Sequence, residues 1–148
     1  MLISGTKYTP APEGQFDAVC VDAIEKPNVE TKWGLKNKVR LVFEIDEVDP
    51  ETNKRFRVGK TYTASLNEKA VLHKDLKGWF GKAPKNLDTE ELVGKPCKLI
   101  VQHNETDGDT FANILAIMKP GKDSLSPSGD YTRAKDRAER AEAGAVPF

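Results

Sequence analysis

The residues best placed to do chemistry are a tryptophan and its cationic neighbours. Trp33 lies in the polar stretch Lys26-Pro27-Asn28-Val29-Glu30-Thr31-Lys32-Trp33-Gly34-Leu35-Lys36-Asn37-Lys38. Lys32, Lys36 and Lys38 flank it; Arg40 follows on the next alternating segment, and Arg55 and Arg57 on the one after. Residues 26–62 hold nine basic and six acidic side chains, and five of the acids (Glu44, Asp46, Glu47, Asp49 and Glu51) crowd one hairpin tip. The basic charge thus gathers on the groove side of strands 2 and 3. Single-stranded nucleic acid asks for this combination. Its phosphates need a track of cations, and each unstacked base gains about 1–3 kcal/mol from an aromatic face. Tyr62 is a second candidate ring, although it alternates in phase with Phe56 and so also fits a core. The bland alternative is a solvated basic face with Trp33 folded over it as a lid.

Other chemistries find little support. His73 and His103 have no partner at ligand or catalytic spacing, and Cys97 with His103 is no zinc pattern. The glycines after Trp33 and before Lys60 are isolated, not a phosphate loop. Asp107-Gly108-Asp109 is a fragment of a calcium loop without the remaining ligands. No catalytic residue, metal or cofactor is expected, and the chain does not read as an enzyme. Cys20 and Cys97 sit in separate apolar runs, as buried reduced thiols would.

Five strands and one helix must position these residues. Phe16–Ile24 is a first strand. Lys38–Asp46 puts Val39, Leu41, Phe43 and Ile45 on one face and Lys38, Arg40, Val42 and Glu44 on the other. Arg55–Thr63 sets Phe56, Val58, Lys60 and Tyr62 against Arg55, Arg57, Gly59 and Thr61. Ser65, with Glu68 three residues on, resembles a helix N-cap. The helix it would open carries Leu72, Leu76 and Trp79 or Phe80, and stops at Gly78–Gly81. Cys97–Gln102 and Thr110–Met118 follow, joined through the hairpin tip Asn104–Asp109. Five antiparallel strands this short expose less edge if they close on themselves. The expected fold class is mostly β: a five-stranded OB-fold barrel with one helix between strands 3 and 4. Such barrels commonly bind oligonucleotides on strands 2–3 and the adjoining loops.

The 148 residues are 38% apolar and 31% charged, which suits a domain with a solvated extension. Twenty-three basic and 23 acidic residues cancel, so a histone-like polybasic protein is excluded while a local basic groove is not. No apolar run reaches the roughly 18–20 residues of a membrane span. Met1–Thr9 has no leader pattern, and the cytoplasm is the expected compartment. Composition shifts at Pro120. Residues 1–119 read as the domain, and 120–148 as a flexible, disordered or transiently helical tail ending Val146-Pro147-Phe148.

Together, the strand order, the basic loop around Trp33 and the Pro-Phe terminus resemble the phage-encoded OB-fold family of single-stranded-DNA-binding proteins, over roughly residues 12–119 plus the tip. The resemblance implies sequence-independent binding and protection of single strands during replication or recombination in a host cytoplasm. It also implies that Val146, Pro147 and Phe148 recruit a partner enzyme, sampled at high effective concentration on a tether. The family's tail is acidic; residues 119–148 here carry six basic and five acidic side chains. By this reading Lys32, Lys36, Lys38, Arg40, Arg55 and Arg57 track phosphates, and Trp33 and Tyr62 stack bases. Homo-oligomerisation stays open. The alternative is an OB-like protein-interaction or structural module, such as a recombination accessory factor or virion component, that binds no DNA.

Overall fold

Apolar residues at alternate positions give a strand one buried face, and five strands form one antiparallel sheet, the first of them buried at six successive residues, Ala18–Ala23. The computed structural model describes residues 10–122 and 124–137. The strands are β1 (Gly14–Thr31), β2 (Gly34–Asp49), β3 (Lys54–Thr63), β4 (Pro96–Thr106) and β5 (Asp109–Met118), with helix α1 (Val71–Phe80) and a 3-10 turn (Thr89–Leu92) between β3 and β4. The sheet order is β3-β2-β1-β4-β5. The protein is thus mostly β, in the order expected.

Closure is where the fold departs from a complete barrel. The Cα atoms of β3 and β5 approach within 8 Å, but among the described residues no hydrogen-bonded ladder joins them. Helix α1 packs against both strands and bridges the seam. On one side its Asp75 receives Lys60 and Tyr62 of β3, and on the other its Gly78 abuts the Ile117 carbonyl of β5. The sheet's concave face holds the core. Ala18, Cys20, Val39, Leu41, Phe43, Ile45, Leu99 and Ile117 meet Leu72, Leu76 and Trp79 of the helix. Each fully buried side chain of this size contributes about 1.5–3 kcal/mol. Trp79 is the helix's anchor: its ring lies 5.5 Å from that of Phe43, and its Nε1 donates to the Pro96 carbonyl at 2.8 Å. Phe80, the other candidate, is exposed.

Several local expectations are corrected. The helix begins at Val71 with Ala70 as N-cap and no side-chain cap. Ser65 instead closes a short turn, its Oγ accepting from the Asn67 N–H at 3.2 Å. Gly78 lies inside α1, and Gly81, with φ 85°, is its left-handed C-cap. Residues 26–38 are not a loop but the far half of the β1–β2 hairpin, paired down to Thr31 and Gly34 with only Lys32 and Trp33 at the turn. Cys20 and Cys97 are buried free thiols, and burial pushes the Cys20 thiol up to about 12. His103 is a partly buried tether: its Nε2 lies 2.6 Å from the Ala11 carbonyl and its backbone N–H bonds Glu13.

The largest departure is the tail. Residues 124–137 lie along the convex face of the β1–β2–β3 sheet, and residues 134–137 form a helical turn. The sequence shows no apolar stripe there because polar bonds, not apolar burial, hold the segment. We call it the strap. Val146, Pro147 and Phe148 lie outside the described residues. No helix among the described residues is long and apolar enough to cross a membrane.

Candidate nucleic-acid interface

Strand register sets which side chains share the convex face. Lys26, Lys38 and Thr63 form one row across β1, β2 and β3. Ile24, Arg40 and Thr61 form the next, Asp22, Val42 and Gly59 the next, and Val19, Glu44 and Arg57 the last. Lys36, Lys38 and Arg40 alternate along β2, so they point away from the core face. Beyond them the hairpin carries Trp33, 77% exposed, with the Lys32 ammonium 5.2 Å from its ring centroid. The Trp33 N–H is fixed by the Thr31 hydroxyl, which itself donates to the Gly34 carbonyl at 2.7 Å. The indole is therefore presented on an ordered turn, not as a lid.

Arg40 is held flat against the sheet. Its Nη1 donates to Thr61 at 3.2 Å, and its guanidinium occupies the space over Gly59, where a Cβ would stand 2.6 Å from Nη2. Glycine at 59 thus makes a bed for the arginine. At the base of the hairpin a cleft of about 510 Å³ is lined by Lys26, Pro27, Lys38, Val39, Leu87 and Asp88.

The far half of the face is different. Asp22 and Glu44 are 1% and 0% exposed, and both lie under the strap. Buried carboxylates persist only when paired and hydrogen-bonded. Glu44 accepts from the Ser128 N–H at 2.9 Å and the Ser128 hydroxyl at 2.6 Å, with Arg55 at 3.4 Å and Arg57 at 3.7 Å. Asp22 accepts from the Tyr131 hydroxyl and the Ala134 N–H, each at 2.8 Å, and from Arg133 Nε at 3.0 Å. Burial works to raise the Asp22 carboxyl; the Ala134, Tyr131 and Arg133 donors outweigh it and hold Asp22 below the usual range. Arg133 also forks onto both oxygens of Glu90 at 2.6 and 3.0 Å, which lowers that carboxyl and raises the guanidinium further.

The expected site residues therefore separate. Lys32, Trp33, Lys36, Lys38 and Arg40 lie along the hairpin and the upper convex face. Arg55 and Arg57 share that face lower down but are engaged: Arg55 with the Ser126 carbonyl and Glu44, Arg57 with Asp130 at 3.0 Å. They serve the strap because Glu44 between them is buried. Tyr62 does not join the group. It is 2% exposed on the opposite face, with its hydroxyl 2.7 Å from Asp75. Burial and the Asp75 carboxylate raise that phenol well above its ordinary value.

The sequence reading passed over Asp22, Glu44, Ser128, Tyr131 and Arg133. A signal was present: Asp22 interrupts the apolar run Val19-Cys20-Val21-Asp22-Ala23-Ile24. An acid in such a strand requires a donor from elsewhere in the chain. Comparison with protein-family models and with curated proteins finds no match.

Proposed function

We propose that this protein binds single-stranded DNA with little sequence preference, along the β1–β2 hairpin and the upper convex face. The observation that carries the proposal is the exposure of Trp33 on an ordered turn beside Lys32 and at the head of the Lys36–Lys38–Arg40 row. The fold reading behind it is a partly open OB-type barrel. The order β3-β2-β1-β4-β5, with β3 approaching β5 and a helix over the seam, supports it. Protection of single strands during replication or recombination in a phage-infected cytoplasm follows from the resemblance, with the Pro-Phe tip recruiting a partner enzyme.

The test is titration of the full chain with oligo-dT at two salt concentrations, read by tryptophan fluorescence. Counterion release predicts quenching at low salt and an affinity that falls steeply as salt rises, with a log–log slope of roughly −0.7 per phosphate contacted. Absence of oligo-dT affinity at low salt overturns the proposal and favours a protein-interaction module.

A further inference from the structure

We infer that the strap is a built part of the nucleic-acid face, with Tyr131 as its second stacking ring, rather than a cover that leaves when the ligand arrives. The inference rests on the nucleic-acid reading above and names further residues of the same site. It replaces Tyr62, which faces the core, by an aromatic from a segment distant in sequence.

Geometry places Tyr131 on the track. Its hydroxyl bonds Asp22 on β1, and its ring centroid lies 5.0 Å from the Arg57 guanidinium on β3. The ring therefore lies over the sheet between the Asp22–Val42–Gly59 row, where its hydroxyl is held, and the Val19–Glu44–Arg57 row, where the Arg57 guanidinium stands. Arg137, exposed, sits 5.7 Å from the same centroid. Trp33 with Lys32 and Tyr131 with Arg137 are thus the same pair twice: a ring with an exposed cation beside it, one near each end of the Lys36–Lys38–Arg40 row. Thr31 at the hairpin end stands nine positions along β1 from Asp22, on the order of 30 Å of strand, which several nucleotides would span. A recess of about 400 Å³ beside the strap, lined by Asp22, Ile24, Glu25, Glu90, Arg133 and Lys135, adds Lys135 at its edge.

Charge decides between partner and competitor. A segment that imitated nucleic acid would carry net negative charge. Residues 124–137 contain Arg133, Lys135 and Arg137 against Asp130 and Asp136, a net charge of +1. Lifting the strap would expose Asp22 and Glu44 in the middle of the face and leave two carboxylates where phosphates must pass. With the strap seated, both are sealed beneath donors; the strap's exposed charged groups are Lys135, Arg137 and Asp130, and Asp130 is paired with Arg57 at 3.0 Å. The strap makes the lower face suitable for a polyanion.

The experiment uses the full chain, fluorescein-labelled oligo-dT and hydrogen exchange. Tyr131→Leu weakens oligo-dT binding about 5- to 100-fold, as loss of one stacking ring does. Tyr131→Phe, which keeps the ring and loses only the bond to Asp22, stays within about threefold of the parent. In the parent protein the Ser128 and Ala134 amides, which donate to Glu44 and Asp22, keep or gain protection at saturating oligo-dT. Three results overturn the inference while sparing the nucleic-acid reading: Tyr131→Leu binding as tightly as the parent or tighter, Tyr131→Phe losing as much as Tyr131→Leu, or loss of strap protection on binding. A parent that does not bind oligo-dT at low salt overturns both.

Discussion

An indole left in water costs hydration free energy, and a fold that keeps one on an ordered turn gains nothing from it in stability. Trp33 is in that position, while Trp79, the other tryptophan, is sealed in the core and bonded through its Nε1. On the proposed reading, the two rings separate binding from folding within one residue type. Trp33→Ala is expected to leave the thermal midpoint unchanged within the scatter of surface substitutions, about 0.5 kcal/mol, and to cost about 1–3 kcal/mol in oligo-dT affinity. A melting curve and a binding isotherm on the same variant check both halves; a destabilised variant with unchanged affinity contradicts the assignment. Residue types made Trp33 legible because its neighbours were polar and cationic. Tyr62 was ambiguous for the opposite reason: alternation places it with Phe56 and Val58, and only the Asp75 carboxylate on α1 explains why a phenol belongs on that face.

At the scale of elements, α1 does what a β3–β5 ladder would otherwise do, and its close approach to β5 is the condition. A Cβ on Gly78 would stand 2.5 Å from the Ile117 carbonyl oxygen, a backbone atom that cannot swing aside. Gly78→Ala should therefore destabilise the domain, although alanine is the better helix former by about 1 kcal/mol. The overpacking cost is about 1–3 kcal/mol, and chemical denaturation measures the net sign; a stabilised variant would mean that the helix does not grip the seam. This glycine shows where sequence reading stopped. Period two revealed β2 and β3, apolar runs between turn signals revealed the other strands, and helical spacing revealed Leu72, Leu76 and Trp79 or Phe80, because these patterns are written in apolar residues. Gly78 looked like a helix stop, since the sequence does not say that another strand's carbonyl lies against it. The hairpin arm looked like a loop because, past the core, its strands have no buried face to write a pattern.

Across the whole molecule, the chain returns to its own sheet through polar bonds, and those bonds carry a pH signature. The strap was illegible for that reason: a reading that looks for apolar stripes finds none in Tyr131–Glu142, whereas the pairing of Asp22 with Tyr131, Arg133 and the Ala134 N–H spans more than a hundred residues. Asp22 is held below its ordinary value when the strap is seated, because its donors outweigh its burial. Asp130, bonded by Ser128 and facing Arg57, and Glu90, forked by Arg133, are lowered as well. A carboxyl lowered in the folded state stabilises that state fully above its unfolded value, about 3.9 for aspartate, and the contribution is lost as pH falls through the lower native value. The strap should therefore remain docked through neutral and mildly acidic pH and detach only below about pH 4. The carbon-13 shift of the Asp22 carboxyl is expected to titrate below the range of an exposed aspartate, with the amide signals of Ser128 and Ala134 moving at the same midpoint. In Arg133→Ala, with one donor lost and the burial unchanged, the midpoint moves up and the strap detaches at higher pH. A native Asp22 that titrates at or above the ordinary value, or an Arg133→Ala variant with an unmoved midpoint, would show that the strap is not held by this carboxylate.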